Sequence, residues 1–493
     1  MYTEGVASCS AERLRGLLSN LSGKRVVVLG LGMFRGGEGA ARFMASRGAR
    51  VLVTDLKQAD QFAPVLKRLS DLPIEYQFGG HRIEDIVHAD LVVANPAVPR
   101  QSPILARVHE AGVPLSSPMN VFLTLCPAPV TAVTGSIGKS TTTAMLAAML
   151  RQAGRRVHLG GNIGVSLLPA LGHISHRDVV VLEISCFQLE DTASLPWSPH
   201  VAVITNLTPN HLDRYGTQDA YVESKRSILA FQAAGDAAVL GSADPVLQVW
   251  ARTQVRSKLL QFDGAPGSGP LVEGTNLRAD RVIWSSGSVQ RELFRCRDVR
   301  VPGVHNLANA MAAATAARWL GAKARHIRQT LGTFRGLEHR LESCGRLAGV
   351  SFYNDSNSTS PECTVAGVLS FSCPVTLIAG GHNKGLELAV MTDSIARRAH
   401  ALVAMGECGP RVAELTRQAA QRAGRAPIIR EVRSLEEAVG AAVQVSRPGS
   451  AVLFSPGCAS FDMFENFAHR GRAFKSLVRQ AAARSGPRPR WVA

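Results

Sequence analysis

Val130-Thr-Ala-Val-Thr-Gly135-Ser-Ile-Gly138-Lys139-Ser140-Thr141-Thr-Thr143 is the stretch from which the rest of the chain can be read. A short apolar, β-branched run enters a small glycine loop, and an Ala/Met/Leu-rich segment follows through Leu150. This is a strand, a phosphate loop and a helix, with the loop amides and the helix N-terminus aimed at an anion. Gly135, Ser136, Ile137 and Gly138 shape the cradle. Lys139 is placed to meet phosphates, and the Ser140 or Thr141 hydroxyl to reach a magnesium ion. The usual G-x-x-x-x-G-K-[ST] spacing is broken, because Val133 stands at the first glycine position.

Downstream, Gly160-Gly-Asn162-Ile-Gly164 reads as a turn, and Val179–Glu183 as a buried strand that ends in a carboxylate. By its position Glu183 is either a magnesium ligand, since the hard cation takes oxygen donors, or a solvated strand-end carboxylate. Val201–Asn206 is a further strand, and His211 beyond it is a second ligand, a phosphate contact or a structural histidine. Lys225, in Tyr221-Val-Glu-Ser-Lys225, reads on its own as a solvated helix face. The segment from about 240 to 300 is polar and less periodic, which suggests a small antiparallel portion of the same domain. A long Ala-rich helix then runs from near Val301 to about Leu320.

Upstream, Arg25–Met33 is an apolar run ending in glycines, followed by a helical stretch and a second strand that ends at Asp55. That is a β-α-β unit with a Gly-rich first turn and an acid about 20 residues on. The spacing Gly30-x-Gly32-x-x-x-Gly36 is not a clean G-x-G-x-x-G, so it is a weak signal for a nicotinamide cofactor and also fits a tight packing turn. A third strand, Ala89–Asn95, runs into Pro96. After Gly336, strands at 350–353, 375–379, 401–405 and 450–455 build another Rossmann-like sheet. Alternating β and helical runs throughout imply an α/β protein with parallel sheets.

The bulk numbers fit this reading. A chain of 493 residues has room for about three domains. It is 46% hydrophobic and 19% charged, a globular profile. It contains no apolar run long enough for a transmembrane helix and no export signal, so a cytoplasmic location without membrane insertion is expected. Nine scattered cysteines with no C-x-x-C pair read as reduced thiols, many of them buried. The net charge of +17 is spread along the chain, and with no basic block it argues against nucleic acid as a partner.

Ten segments in order resemble the Mur ligases, specifically their D-glutamate-adding branch: TGSIGKST, GGNIG, LEISCFQLE, NLTPNHLDRYG, YVESK, VPGVHNLANA, GLEHRLE, NDSNSTSPE, GGHNKG and SPGCASFDMFENFAHRG. The likeness runs from about residue 22 to 480. It implies a UDP-binding Rossmann-like domain over residues 1–117, a central ATPase-type domain over 118–336, and a Rossmann-like acceptor domain over 337–493 that closes on the other two. It also implies ligation of D-glutamate to UDP-N-acetylmuramoyl-L-alanine through an acyl phosphate, with ATP and two magnesium ions, by a monomer. A sister activity using L-glutamate is the nearest alternative.

By resemblance, Lys139 and Ser140 hold the phosphates and magnesium, and Glu183 and His211 belong to the metal sites. Lys225 becomes a carbamate that ligates the second ion. Asn306, Asn309, Arg340 and Asp355 lie at the nucleotide. Gly32, Asp55, Asn95, Pro96, Asn162 and His211 face the UDP substrate, and Thr359, Lys384, Ser460 and Phe467 face glutamate. Three positions depart from the family pattern. Asn357 stands for a common Lys, Ile137 for a common Asn and Cys186 for a common Ser.

Overall fold

The computed structural model describes residues 10–32, 36–164, 166–208, 212–263, 273–383 and 385–484. Three sheets organise them, and the α/β expectation is met. The chain divides into two compact units, Met1–Cys296 with Ala308–Thr330, and Arg297–Leu307 with Leu331–Ala493. The first two sheets lie in the first unit and the third sheet lies in the second.

The first sheet contains β1 (Arg25–Leu29), β2 (Arg50–Asp55), β3 (Ile74–Phe78), β4 (Leu91–Ala94) and β5 (Leu115–Ser116), in the order β3-β2-β1-β4-β5. All its pairings are parallel. Connections leave β1 first toward β2 and β3, then return to β4 and β5. The chain therefore opens a crevice between the C-terminal ends of β1 and β4, where such sheets bind ligands.

The second sheet contains β6 (Val130–Thr134), β7 (Val157–Gly161), β8 (Val179–Glu183), β9 (Val201–Ile204), β10 (Ala237–Gly241), β11 (Lys258–Asp263), β12 (Glu273–Arg278), β13 (Arg281–Ser286) and β14 (Val289–Arg295). Their order is β14-β13-β12-β11-β10-β9-β6-β8-β7. β6, β8 and β9 are buried along their whole length, as their unbroken apolar runs require. β12, β13 and β14 extend the same sheet through antiparallel pairings, as expected for the polar segment, but β11, which lies in that segment too, pairs in parallel with β10 and β12. One apolar core joins the first two sheets, running from Val26 and Met44 through Phe122 to Leu182 and Ile204. Arg100, after β4, is paired with Glu190 and Asp191 on the helix that follows β8.

The third sheet contains β15 (Glu342–Leu347), β16 (Val350–Asn354), β17 (Val375–Gly380), β18 (Ala401–Met405), β19 (Ile428–Glu431) and β20 (Ala451–Phe454), ordered β15-β16-β20-β17-β18-β19. Only β15 runs antiparallel. Two apolar clusters cover its faces, one around Leu377, Met391 and Leu453, the other around Phe352, Phe454 and Phe474.

Two sequence expectations are corrected. The glycine turn at 160–164 is partly strand, because β7 continues through Gly161 and pairs it with Glu183. The helix expected over 143–153 begins earlier, at Lys139 directly off the phosphate loop, and runs to Gln152. The eight described cysteines are all unbridged; Cys186, Cys408 and Cys458 are buried and Cys363 is exposed. No helix among the described residues is long and apolar enough to cross a membrane.

Candidate active site

β6 sits between β8 and β9, so the loops after these three strands meet at one end of the sheet. Gly138 caps the helix Lys139–Gln152 from the left-handed region, at φ 89°. A Cβ there would overlap the Asn309 side-chain oxygen, so both conformation and space demand glycine. Asn309 Oδ1 in turn accepts the Thr142 hydroxyl at 3.3 Å, tying the helix start to the Ala-rich helix.

The segment after β9 clamps the loop. Ser136 N–H donates to Asn206 O at 2.9 Å, and its hydroxyl donates to Thr208 O at 2.7 Å. Ile137 N–H donates to the Asn206 side-chain oxygen at 3.0 Å, while the Asn206 amide and the Thr205 hydroxyl both donate to Ile137 O. The Ile137 side chain itself is exposed. Lys139 Nζ donates to the carbonyls of Gly135 and Ser136 at 3.1 and 3.0 Å, which holds its charge over the cradle. Ser140 is half-buried and Thr141 buried, on the first turn of the helix.

Glu183 is buried at the end of β8. Gly161, at φ 91°, lets β7 press against it; a Cβ there would overlap the Glu183 carbonyl oxygen. The close approach delivers Asn162, whose backbone N–H donates to Glu183 O at 2.7 Å and whose amide donates to Glu183 Oε1 at 2.8 Å. The other oxygen, Oε2, is buried with no hydrogen-bond partner among the described residues. Immediately after, Ser185 and Gln188 form a capping box that starts the helix Cys186–Thr192 and turns the chain away.

Thr217 caps the helix Gln218–Arg226, and the i, i+4 pair Tyr221 and Lys225 faces inward together. Tyr221 OH donates to Ser136 Oγ at 2.9 Å. Lys225 Nζ donates to Thr134 Oγ1 at 3.4 Å and lies 4.9 Å from the Tyr221 ring centre. Lys225 is only 1% exposed, so the solvated-face reading of it is wrong. Burial, with a smaller contribution from the Lys139 charge, pushes its ammonium down to about 8, while nearby Cys186 opposes the shift.

These groups fit magnesium. A carboxylate oxygen is buried and unengaged, with a serine hydroxyl on the neighbouring helix. Among the described residues, no three His, Cys, Asp or Glu side chains gather to form a closed metal cage. Magnesium does not need one, because it keeps several waters and binds through one or two carboxylates together with phosphate. His211 lies outside the described residues.

At the first sheet's crevice, Asp55 Oδ2 accepts the Leu31 N–H at 2.9 Å and Oδ1 accepts the Lys57 N–H at 3.0 Å. The Asn95 amide lies against Gly32, and Pro96 follows it, half-buried. The structure thus brings Gly32, Asp55 and Asn95 to one switch point.

In the second unit, Asn306 is buried with its amide on Pro302 O at 2.6 Å. Asp355, behind β16, is buried; its carboxylate accepts the Leu341 N–H at 3.0 Å and the hydroxyls of Ser358 and Ser455 at 2.5 and 2.8 Å. Burial outweighs these bonds and raises its carboxyl above the usual range. These bonds hold the turn carrying half-buried Arg340 against β16. Thr359 is exposed after β16, Ser460 is buried after β20, and Phe467 begins the helix Phe467–Arg484. Lys384 lies outside the described residues.

Sequence reasoning missed Arg470. Its guanidinium is 2% exposed and donates to Ser356 Oγ, Ser356 O, Cys458 O and Ala459 O at 3.0–3.1 Å. It sutures the loop after β16 to the loop that carries Ser460. His469 and Arg472 stand beside Arg470 at the helix start, so nothing in the sequence singles it out. Asn206 and Thr205 were also missed, because clamps on backbone leave no residue pattern.

Two family profiles match the chain: the Mur ligase middle domain over residues 133–317, and the Mur ligase MurD-like N-terminal domain over residues 24–117. The UDP-N-acetylmuramoylalanine–D-glutamate ligase of Roseiflexus sp. (strain RS-1) is 40% identical, over 93% of this chain and 99% of its own length. The protein of that name from Symbiobacterium thermophilum is 37% identical, over 92% and 98% respectively. Among solved structures, the UDP-N-acetylmuramate-alanine ligase of Thermotoga maritima superposes with a TM-score of 0.59 at 20% identity, covering 93% of this chain and all of that one. The MurF ligase of the same organism, in complex with ADP, gives 0.56 at 17% identity, covering 94% and 99%. The likeness to these structures concerns the fold, whereas the sequence identity extends over nearly the full length of D-glutamate ligases, and the chain belongs to the UDP-N-acetylmuramoylalanine–D-glutamate ligase family of Mur ligases.

Proposed function

We propose that the chain joins D-glutamate to UDP-N-acetylmuramoyl-L-alanine, converting ATP to ADP and phosphate, as a step in building the peptidoglycan precursor. The observation that carries this reading is 40% identity over 99% of a relative of that name, together with an intact phosphate loop, Glu183 and Lys225.

A carboxylate is a poor electrophile. Transfer of the γ-phosphoryl group to the alanyl carboxylate gives an acyl phosphate with a good leaving group. The glutamate amine attacks its carbonyl carbon, and phosphate departs as the amide forms. Most of the catalytic work is charge neutralisation and alignment. The glycine loop at 135–138 and the Lys139 ammonium receive the ATP phosphates, and the clamp from Thr205, Asn206 and Thr208, which takes up the Ser136 and Ile137 N–H groups, keeps the loop rigid.

Glu183 and Ser140 would hold magnesium, which neutralises phosphate charge. Asn162 fixes the Glu183 carboxylate so that Oε2 points free. Lys225 would carry carbon dioxide as a carbamate in this reading, and with His211 it would hold a second ion. The lowered ammonium of Lys225 supports the first part, because only a neutral amine attacks carbon dioxide. Gly32, Asp55, Asn95 and Pro96 hold the UDP moiety, and Asn306, Asn309, Arg340 and Asp355 serve the nucleotide. Thr359, Lys384, Ser460 and Phe467 receive glutamate.

The domain limits near residues 117 and 336, a monomeric state and a cytoplasmic location, where ATP and nucleotide sugars are found, belong to the same proposal. The test is product identity. Incubation with UDP-N-acetylmuramoyl-L-alanine, Mg-ATP and D-glutamate should yield a nucleotide sugar heavier by one glutamyl residue, and no such product would refute the assignment.

A further inference from the structure

Cys408 and Cys458 lie 50 residues apart in sequence, yet their sulfurs are 2.9 Å apart in the second unit. Both are buried, at 7% and 1% exposure. A disulfide needs about 2.05 Å between sulfurs, so closing this pair requires movement of under about 1 Å. The pair is also linked to its surroundings on both sides. Cys408 ends the turn after β18 and starts the helix Gly409–Arg422, and its N–H donates to Gly381 O at 2.9 Å. Cys458 stands two residues before Ser460, and its carbonyl accepts from Arg470. Between them, His382 and Ala459 exchange backbone hydrogen bonds at 2.9 and 3.0 Å.

We propose that Cys408 and Cys458 form a dithiol that a hydroperoxide closes reversibly to a disulfide, and that closure alters the loops at 380–383 and 455–460. The effect on glutamate binding rests on the acceptor assignment above. The chemistry balances with hydrogen peroxide as oxidant. The Cys408 sulfur attacks a peroxide oxygen, an S–O bond forms, the O–O bond breaks, and water leaves. The Cys458 sulfur then attacks the Cys408 sulfenic sulfur, the S–S bond forms, the S–O bond breaks, and a second water leaves. Two thiols lose two electrons and two protons, and one peroxide becomes two waters.

Cys408 is the first to react on geometric grounds. It is the more exposed of the two, and it precedes the amides of a 14-residue helix that favour a thiolate. The hydrogen bond between the two sulfurs favours the Cys408 thiolate in the same sense and raises the Cys458 thiol.

The experiment treats the full chain with hydrogen peroxide and then alkylates, digests and maps the thiols by mass spectrometry. The expected result is one linked peptide pair, Cys408 with Cys458, that dithiothreitol reverses and that Cys408→Ser and Cys458→Ser each abolish. Both thiols remaining alkylatable after peroxide would overturn the dithiol. In the oxidised protein the KM for glutamate should rise roughly fivefold or more with the KM for ATP unchanged. An unchanged glutamate KM in protein shown to be bridged would overturn the coupling to the loops. Failure of the functional assignment is a separate result: the reduced protein would not turn over, and the thiol map would still decide the dithiol.

Discussion

Asn162 donates its amide to one oxygen of the Glu183 carboxylate at 2.8 Å and leaves the other buried without a partner among the described residues. A buried, unengaged carboxylate oxygen is costly unless a cation meets it. Glu183→Gln keeps the shape and the Asn162 contact while removing the charge. We expect kcat/KM to fall roughly 10²–10³-fold, the loss typical of a deleted charge-stabilising group. Thermal stabilisation by magnesium with ATP should disappear, as read by differential scanning fluorimetry.

Lys225 makes a second prediction, this time on pH. Its folded ammonium sits at about 8 against an ordinary 10.5, so the unfolded chain binds more protons in that window. Stability from this group is fully present above the unfolded value and is lost as pH falls through about 8. In buffer freed of carbon dioxide, Lys225→Met should therefore gain on the order of 3 kcal/mol relative to wild type at pH 7. Activity should vanish in the same variant. Urea unfolding at pH 7 checks the first part, and a carbamate carbon signal from labelled bicarbonate, present in wild type and absent in the variant, checks the chemistry.

Gly138→Ala tests the cradle. The left-handed backbone alone costs a non-glycine residue roughly 1–2 kcal/mol, and the new methyl would overlap Asn309 as well. Thermal denaturation should show that loss or more, and the KM for ATP should rise while the KM for the nucleotide sugar stays near wild type.

Arg470→Ala should destabilise the chain on the order of 3 kcal/mol, because it leaves the buried carbonyls of Ser356 and Cys458 without their donor, while Ala459 O keeps the His382 N–H. Arg470→Lys keeps the charge but loses the planar fork, and recovers only part of the loss. Chemical denaturation of the two variants side by side checks the order.

The phosphate loop, β6, β8 and β9 were legible because fully buried parallel strands leave unbroken apolar runs. β3 was passed over because it is nowhere fully buried, β5 because it has only two residues, and β15 and β19 because they are edge strands with mixed polarity. The same physics divides the site. Lys139 and Glu183 sit at strand ends and announce themselves by position. Lys225 does not, since nothing in a sequence such as Val-Glu-Ser-Lys-Arg says that the helix turns its lysine into the protein. Only the resemblance marked it. Arg470 carries no mark of its kind, because its work is done on backbone carbonyls that every residue possesses.

The most direct measurement is phosphate release from Mg-ATP with UDP-N-acetylmuramoyl-L-alanine, supplying D-glutamate in one reaction and L-glutamate in the other. Turnover with D-glutamate and none with L-glutamate is the predicted result, and it makes Asn357 a tolerated variation. Turnover with L-glutamate alone would contradict the account and move attention to Asn357, on the loop that Arg470 holds.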